Sequence, residues 1–344
     1  MSAADTLLLS ILARCQGNTL LVADENCLHF PFASAPATLQ VLSNRIDVSR
    51  RASAAGLTCY FNDNDLLQAT GDVILDHVVY RLAKEKPAVH HIANGAAQAL
   101  AIGGTLWLVG GKQEGIKTFA KTLGKLLGDR PVINKEGTQY IVEIHKRSEP
   151  EALLDDVNYT ELREIFSTGG IPVMSKPGQF GWNKIDKGSE LLIAHLDRQL
   201  PTAGPRLTTL DLGCGYGYLG LLAAKRHNLA LTATDNCAAA LTACRENYHN
   251  HGISGEVIAD DCGASIRCHF DLILCNPPFH QGFQQERAQT EKFLANTRRL
   301  LKTDGKALFV VNQFVGLEQL AKGHFRHIEC FHQEAGFKLV ALQC

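Results

Sequence analysis

The sequence predicts an α/β protein of two tandem doubly wound domains, the first a degenerate copy of the second. Three observations carry that expectation. Strands alternate with helices through the second half, a glycine-rich turn follows the first of those strands, and the first half repeats much of the apolar frame without the glycines. The chain has 344 residues, room for two domains of about 100–200 residues each.

In the second half, "RLTTLDLG" (206–213) reads as a buried strand, followed by the turn "CGYGYLG" and a helix through "LLAAKRH". "LALTATD" (229–235) is the next strand and leads into a helix from Ala238 to His249. "GEVIAD" and "FDLILCN" supply a third and a fourth strand, and a long helix covers roughly Glu286 to Leu301, ended by "KTDG". "KALFVVN" is a fifth strand, and "ECFHQEAGFKLVALQ" reads as a closing antiparallel pair around a glycine turn. Strands joined through helices pair in parallel, which gives a doubly wound sheet.

The first half follows the same frame. Set "DVILDHVVYRL", from Asp72, beside "DLILCNPPFHQ", from Asp271; each is followed by a helix, a glycine and a strand ("GGTLWLVG" against "DGKALFVVN"). In this alignment His77, Val78, Val79 and Tyr80 stand where the second copy has Asn276, Pro277, Pro278 and Phe279. The segment "STGGIPVMSKPGQFGWNKIDKGSELL" between the halves is rich in Gly, Pro and Lys and reads as a connector running into a helix near Gly188–Leu200. The expected division is 1–165, 166–205 as linker and pre-domain element, and 206–344.

The totals exclude several classes. A formal net charge of −1 argues against a polybasic tail or a general nucleic-acid coat. The N-terminal apolar run "LLLSILA" is too short to span a membrane and follows Asp5 instead of a basic residue, so neither a signal peptide nor a membrane span is expected. The eleven cysteines form no Cys-x-x-Cys pair and the fourteen histidines no His-x-x-x-His pair. Reduced thiols in a cytoplasmic protein and no metal are the expectation.

Chemistry concentrates at two places. "LDLGCGYGYLG" sets Asp211 near a strand end, then Gly213, Gly215, Gly217 and Gly220, a turn that lets a ligand approach the backbone and the amides of the next helix. Gly215, Gly217 and Gly220 also satisfy the dinucleotide fingerprint Gly-x-Gly-x-x-Gly, with Asp235 placed for a ribose. Asp211 favours a nucleoside carrying a cation over a diphosphate, since a carboxylate there repels phosphate and suits a sulfonium or an α-amino group. Asp260 or Asp261, after the third strand, would take an adenine amine.

The second place is "NPPF". Asn-Pro commonly starts a turn, and the prolines hold Asn276 and Pro277 extended. "DLGCGYG" followed by "NPPF" resembles the class I methyltransferases that use S-adenosylmethionine and modify planar exocyclic amines. A degenerate copy joined to an intact one is similar to the small-subunit rRNA guanine-N2 methyltransferase C family, and "PGQFGWNKIDKGSELL" resembles that family's pre-domain element through Phe180, Asp186 and Gly188. The resemblance implies two tandem Rossmann-like methyltransferase domains. It implies a cofactor site of Asp211, Gly213, Cys214, Gly215, Gly217, Asp235, Asn236, Asp260 or Asp261, Asn276 and Phe180, and a catalytic set of Asn276, Pro277, Pro278 and Phe279. The expected substrate is small-subunit rRNA or the 30S subunit, met by a monomer whose first domain binds substrate and supports folding. The large-subunit counterpart and an rRNA assembly factor without catalysis are the alternatives.

An exocyclic guanine amine is conjugated with its ring and nucleophilically weak. A site that accepts both N–H bonds, at the Asn276 side-chain oxygen and the Pro277 carbonyl, would aim the nitrogen lone pair, with Phe279 as a stacking face.

Overall fold

In the computed structural model, which describes residues 1–200, 204–278 and 283–344 (283–286 by main chain alone), two seven-stranded sheets form. One lies in the unit Met1–Glu161 and one in Leu162–Cys344. The first unit runs α1 (Ala3–Leu12), β1 (Thr19–Ala23), β2 (Gln40–Ser43), α2 (Ile46–Ala54), β3 (Thr58–Phe61), α3 (Leu66–Thr70), β4 (Leu75–Arg81), α4 (Lys86–Ala99), β5 (Leu100–Gly111), α5 (Ile116–Leu127), β6 (Val132–Glu136) and β7 (Gln139–His145). Its sheet order is β3-β2-β1-β4-β5-β7-β6, parallel up to β5 and antiparallel beyond.

The second unit opens on a hairpin, β8 (Arg163–Thr168) and β9 (Ile171–Ser175), then α6 (Lys187–His195). It continues with β10 (Leu207–Leu212), α7 (Tyr218–Arg226), β11 (Leu229–Asp235), α8 (Ala238–Asn250), β12 (Gly255–Ala259), β13 (Phe270–Cys275), α9 (Phe283–Leu300), β14 (Leu301–Asn312), α10 (Leu317–Ala321), β15 (His327–Glu334) and β16 (Phe337–Gln343). Its sheet order, β12-β11-β10-β13-β14-β16-β15, is the first unit's order shifted by nine strands. The leucine-rich strands are buried on both faces. Leu192, Leu219 and Tyr248 pack on one side of this sheet, and Phe293, Leu294 and Phe325 on the other.

Of the linker and pre-domain element expected at 166–205, the described residues form part of the second unit instead of a free connector. The hairpin and α6 belong to the second unit, and Asn247 of α8 fastens the hairpin by accepting from the Met174 amide (2.7 Å) and donating to the Met174 and Tyr216 carbonyls (2.8 and 2.7 Å). Gly, Pro and Lys content suggested a connector, but Val173 and Leu192 are buried and turn the segment into a layer of the core. "KTDG", expected to end the long helix, lies inside β14.

Register also corrects the internal alignment. Leu212 of β10 pairs with Cys275 of β13, and Val22 of β1 pairs with Tyr80 of β4. Bulges fall at matching places, between Leu75 and His77 and between Phe270 and Leu272. Cys275 therefore matches Tyr80, and the counterpart of Asn276 is Arg81, not His77. The apolar run could be slid by four residues without breaking its hydrophobicity, and the bulge removed the cue that would have fixed it. The same arithmetic sets Ser43 at the place of Asp235, Asn62 at that of Asp260 and Asn64 at that of Cys262. Both Asn64 and Cys262 have left-handed backbones (φ 59° and 53°).

Candidate active site

Four adjacent parallel strands, β12, β11, β10 and β13, end side by side, at Ala259, Asp235, Leu212 and Cys275. The residues that follow are the sequence's candidates, so the sheet brings them to one edge. This is the carboxyl edge, where ligands of such folds bind.

The glycine turn folds over β11, with the Gly213 and Cys214 amides donating to the Thr234 carbonyl (2.8 and 3.0 Å). Its glycines do different work. Gly215 is left-handed (φ 54°), and a Cβ there would meet nothing within 4 Å, so this stretch of backbone is open to a ligand. Gly217 and Gly220 serve packing: a Cβ would lie 2.8 Å from Cys244 Sγ at Gly217, and 2.1 Å from Tyr248 Oη at Gly220. Cys214 is buried, with its thiol against the Gly215 carbonyl (3.4 Å).

Asp211 is fully buried beneath the turn. Its Oδ2 accepts from the Gly220 amide (2.8 Å) while Oδ1 has no partner among the described residues. Burial pushes its carboxyl up to about 7, the Gly220 amide opposing and Asp235 adding to the rise.

Asp235 is half-buried at the end of β11. It organises the turn, accepting from the Gly215 amide (3.0 Å) through Oδ2 and from the Cys237 amide (2.9 Å) through Oδ1. Each carboxylate oxygen keeps a second lone pair for ribose hydroxyls. Asn236, next to it, is also half-buried.

The two acids after β12 separate. Asp260 is fully buried and holds its own loop, its Oδ2 accepting from the Ser265 amide (2.9 Å). Asp261 keeps accessible surface and pairs with Lys292 of α9. A group without surface cannot meet adenine unless the loop moves, so Asp261 is the better placed.

Asn276 follows β13 directly, beside the glycine turn. Its Nδ2 donates to Asp186 Oδ1 (2.6 Å) and to Ser189 Oγ (2.9 Å). Asp186 is also the N-cap of α6, accepting from the Ser189 amide (2.9 Å). Gly188 eases the packing here, since a Cβ would sit a tight 3.1 Å from both Asp186 Oδ1 and Val310 Cγ2. Pro277 is buried and Pro278 exposed, whereas Phe279 lies outside the described residues. Phe180 is 61% exposed on the loop before α6.

The sequence reading missed Ser189, whose only signal was its place in the first turn of a helix capped by Asp186. It also passed over Phe314, which is 81% exposed just past the carboxyl end of β14. One group of possible metal ligands exists among the described residues: His195, His332 and Glu334. The two imidazoles stack at 3.8 Å and 24°, so their in-plane lone pairs run nearly parallel instead of converging on an ion.

The open backbone at Gly215, the free lone pairs of Asp235 and the accessible Asp261 fit an adenosine. Asp211, buried without surface, can act on a ligand only through its charge, which favours a cationic group over a diphosphate.

Known proteins resemble this chain along most of its length. Residues 4–131 match the family model for the methyltransferase small domain N-terminal region, and residues 170–341 match that for the methyltransferase small domain. The chain is similar to ribosomal RNA small subunit methyltransferase C of Aeromonas hydrophila, 31% identical over 82% of this chain and 83% of that protein. It is 28% identical to the Haemophilus influenzae protein of the same name, over 95% and 94%. A solved T. thermophilus 16S rRNA N2 methyltransferase, in complex with AdoMet and guanosine, has a TM-score of 0.84 at 24% identity, covering 99% of this chain and 92% of that one.

Proposed function

We propose that this chain, which belongs to the methyltransferase small domain family, transfers the methyl group of S-adenosylmethionine to the exocyclic N2 amine of one guanine in small-subunit rRNA. What carries the reading is the row of strand ends: an adenosine-compatible edge at Asp261, Asp235 and Gly215, and beside it Asn276, an amide whose two hydrogens are already taken.

S-adenosylmethionine, when bound, supplies an electrophilic methyl on a sulfonium sulfur. The Asp235 carboxylate would hold its ribose, Asp261 its adenine amine, and Phe180 would flank it. Asn276 Oδ1 accepts one N–H of the target amine and the Pro277 carbonyl the other, which draws the nitrogen out of conjugation and points its lone pair outward. Asn276 accepts a hydrogen bond and never the proton itself. The proton that nitrogen sheds after gaining carbon leaves to water, and no general base is needed beforehand. The target base leaves its stack to reach this edge.

The catalytic set, the cofactor contacts and the substrate-binding role of the first domain belong to this proposal. Tritiated methyl transfer onto unmodified small subunits, with the labelled nucleoside identified by digestion, tests it. N2-methylguanosine in small-subunit rRNA is the expected product. Label on large subunits, on another nucleoside, or on none overturns the assignment.

A further inference from the structure

The geometry points to Asp186 and Ser189 as positioning residues for methyl transfer: they hold the Asn276 side chain in the one orientation that offers the target amine an acceptor. The inference rests on Asn276 being the group that meets the amine.

A primary amide is ambivalent, with two donor hydrogens and one acceptor oxygen. Facing a substrate unrestrained, Asn276 could rotate by half a turn and present either end. Presenting N–H groups to an N–H donor would be repulsive, and it would suit a carbonyl oxygen instead. Here the choice is removed. The two partners of Asn276 Nδ2 are a carboxylate oxygen at 2.6 Å and a hydroxyl oxygen at 2.9 Å. A carboxylate accepts only, so turning the amide over would set two acceptors against each other. Both hydrogens are consumed, and no described residue donates to Oδ1. What remains for the substrate is an acceptor alone.

The partners are themselves held. Asp186 Oδ1 also takes the Ser189 amide at 2.9 Å, which anchors it as the cap of α6, and Ser189 is buried in the first turn of that helix. Asp186 and Asn276 are 90 residues apart in sequence, so the contact ties the pre-domain element to the end of β13. The bond from an anion polarises the amide and makes Oδ1 a stronger acceptor, since linked hydrogen bonds reinforce one another. The chain Asp186–Asn276–amine has the logic of an orienting carboxylate behind a reacting side chain. It also makes the site selective for donors: an exocyclic amine fits, and a ring carbonyl in its place does not.

A double-mutant cycle on the full chain tests this. Asp186→Ala and Ser189→Ala should each lower kcat at saturating subunits, with Asp186→Ala the larger, because misplacing a reacting group by about 1 Å can cost on the order of a hundredfold. Asp186→Asn keeps an oxygen for the helix cap and for Asn276, and should restore part of the rate lost in Asp186→Ala. S-adenosylmethionine affinity by calorimetry should stay within about twofold of the parent in all three, since the bonds lost face the acceptor base. The deciding measurement combines each change with Asn276→Ala. If Asp186 and Ser189 act through Asn276, their loss adds nothing further to kcat in that background. Additive losses, or rates of Ser189→Ala and Asp186→Asn equal to the parent's, overturn the inference. Should Asp186→Ala lose its fold with its cap, those two variants still decide. Full turnover by Asn276→Ala alone would instead sink the reading of Asn276 on which all this stands.

Discussion

At the end of β4 in the first domain, Arg81 is clamped: its guanidinium bonds both oxygens of Glu114 (2.8 Å each) and the Leu82 carbonyl (3.0 Å), and Glu114 in turn takes the Gly111 amide (2.6 Å). At the matching place in the second domain, Asn276 is held from behind and leaves one acceptor outward. The two sheets share strand order, register and bulge, and they differ in what finishes the strands. In the first, Ala23 and Asp24 lead into two 3₁₀ turns (Glu25–Cys27 and Phe32–Ser34) where the second has its glycine turn. Buried Asp24 spends Oδ1 on two donors of Asn26 (2.8 and 2.9 Å), whereas Asp211 leaves an oxygen unpartnered. At the matched strand ends, Arg81 is paired off while Asn276 keeps its acceptor oxygen.

The sharpest way to break this comparison is to truncate the two matched residues. Asn276→Ala should lower turnover at saturating subunits by about a hundredfold or more, the usual effect of losing one positioned group in a dry site, with S-adenosylmethionine affinity nearly unchanged. Arg81→Ala should do the reverse. It leaves half-buried Glu114 without its partner, which should cost about 1–3 kcal/mol, read as a lower urea midpoint for the first domain. Turnover under native conditions should hold. If Arg81→Ala stops the chemistry and leaves stability alone, the matched positions have been wrongly assigned.

A second pair sharpens it. Asp235 and Ser43 end equivalent strands and both cap the residue two further on, Cys237 (2.9 Å) and Arg45 (3.1 Å). Each backbone carbonyl also takes the amide that follows the neighbouring strand, Asp260 (3.0 Å) or Asn62 (3.3 Å). Asp235→Ala should weaken S-adenosylmethionine binding by about tenfold or more in calorimetry, since hydrogen bonds to a charged group are worth roughly 1.5–3 kcal/mol. Ser43→Ala should cost only about 1 kcal/mol of stability and leave the ligand's affinity alone.

The doubly wound class, the duplication, the glycine turn and the row of acids were all legible, because each rests on local pattern: alternating apolar runs, Gly spacing, an acid at a strand end. The register of β4 was not. Val78, Val79 and Tyr80 are as buried as any frame would ask, and nothing in an apolar run marks a bulge. The contact of Asn276 with Asp186 and Ser189 was equally hidden, although the resemblance picks out Asp186 and Ser189 lies in an expected helix. A hydrogen bond across 90 residues leaves no trace in spacing.

Titration gives a smaller effect. Asp24 and Asp211 both lie near 7, each raised mainly by burial. A carboxyl raised in the folded state stabilises most below its unfolded value, and the contribution is lost as pH rises through the folded one. Unfolding free energy should therefore fall as pH rises from about 4 to about 7 and level off above, by at most about 1.4 kcal/mol per group and pH unit. A cationic ligand prefers ionised Asp211, so affinity for S-adenosylmethionine should climb toward pH 7 and level off above it. The climb is at most about tenfold per unit. Asp211→Asn should flatten this slope and leave the Asp24 share of the stability change. A slope that survives Asp211→Asn would place the titrating group elsewhere.

The smallest expected effect is a null one, and it bears on the whole comparison. If the first domain's edge is closed by Arg81, Glu114 and Asp24, the full chain should bind one S-adenosylmethionine, not two. Closure here is a matter of occupied groups: the Arg81 side chain is only 10% exposed, Ser43 has no carboxylate to offer a ribose, and no left-handed glycine follows β1. Opening that edge would mean breaking a bidentate ion pair within a nearly buried setting, a cost a nucleoside could not recover from the few donors left there. Calorimetry on the intact chain should give a stoichiometry of one, and Asp235→Ala should weaken that single event without uncovering another. A second saturable event that persists in Asp235→Ala and vanishes in Arg81→Ala would show the first sheet to be a working site after all. The two edges would then differ in ligand and not in use.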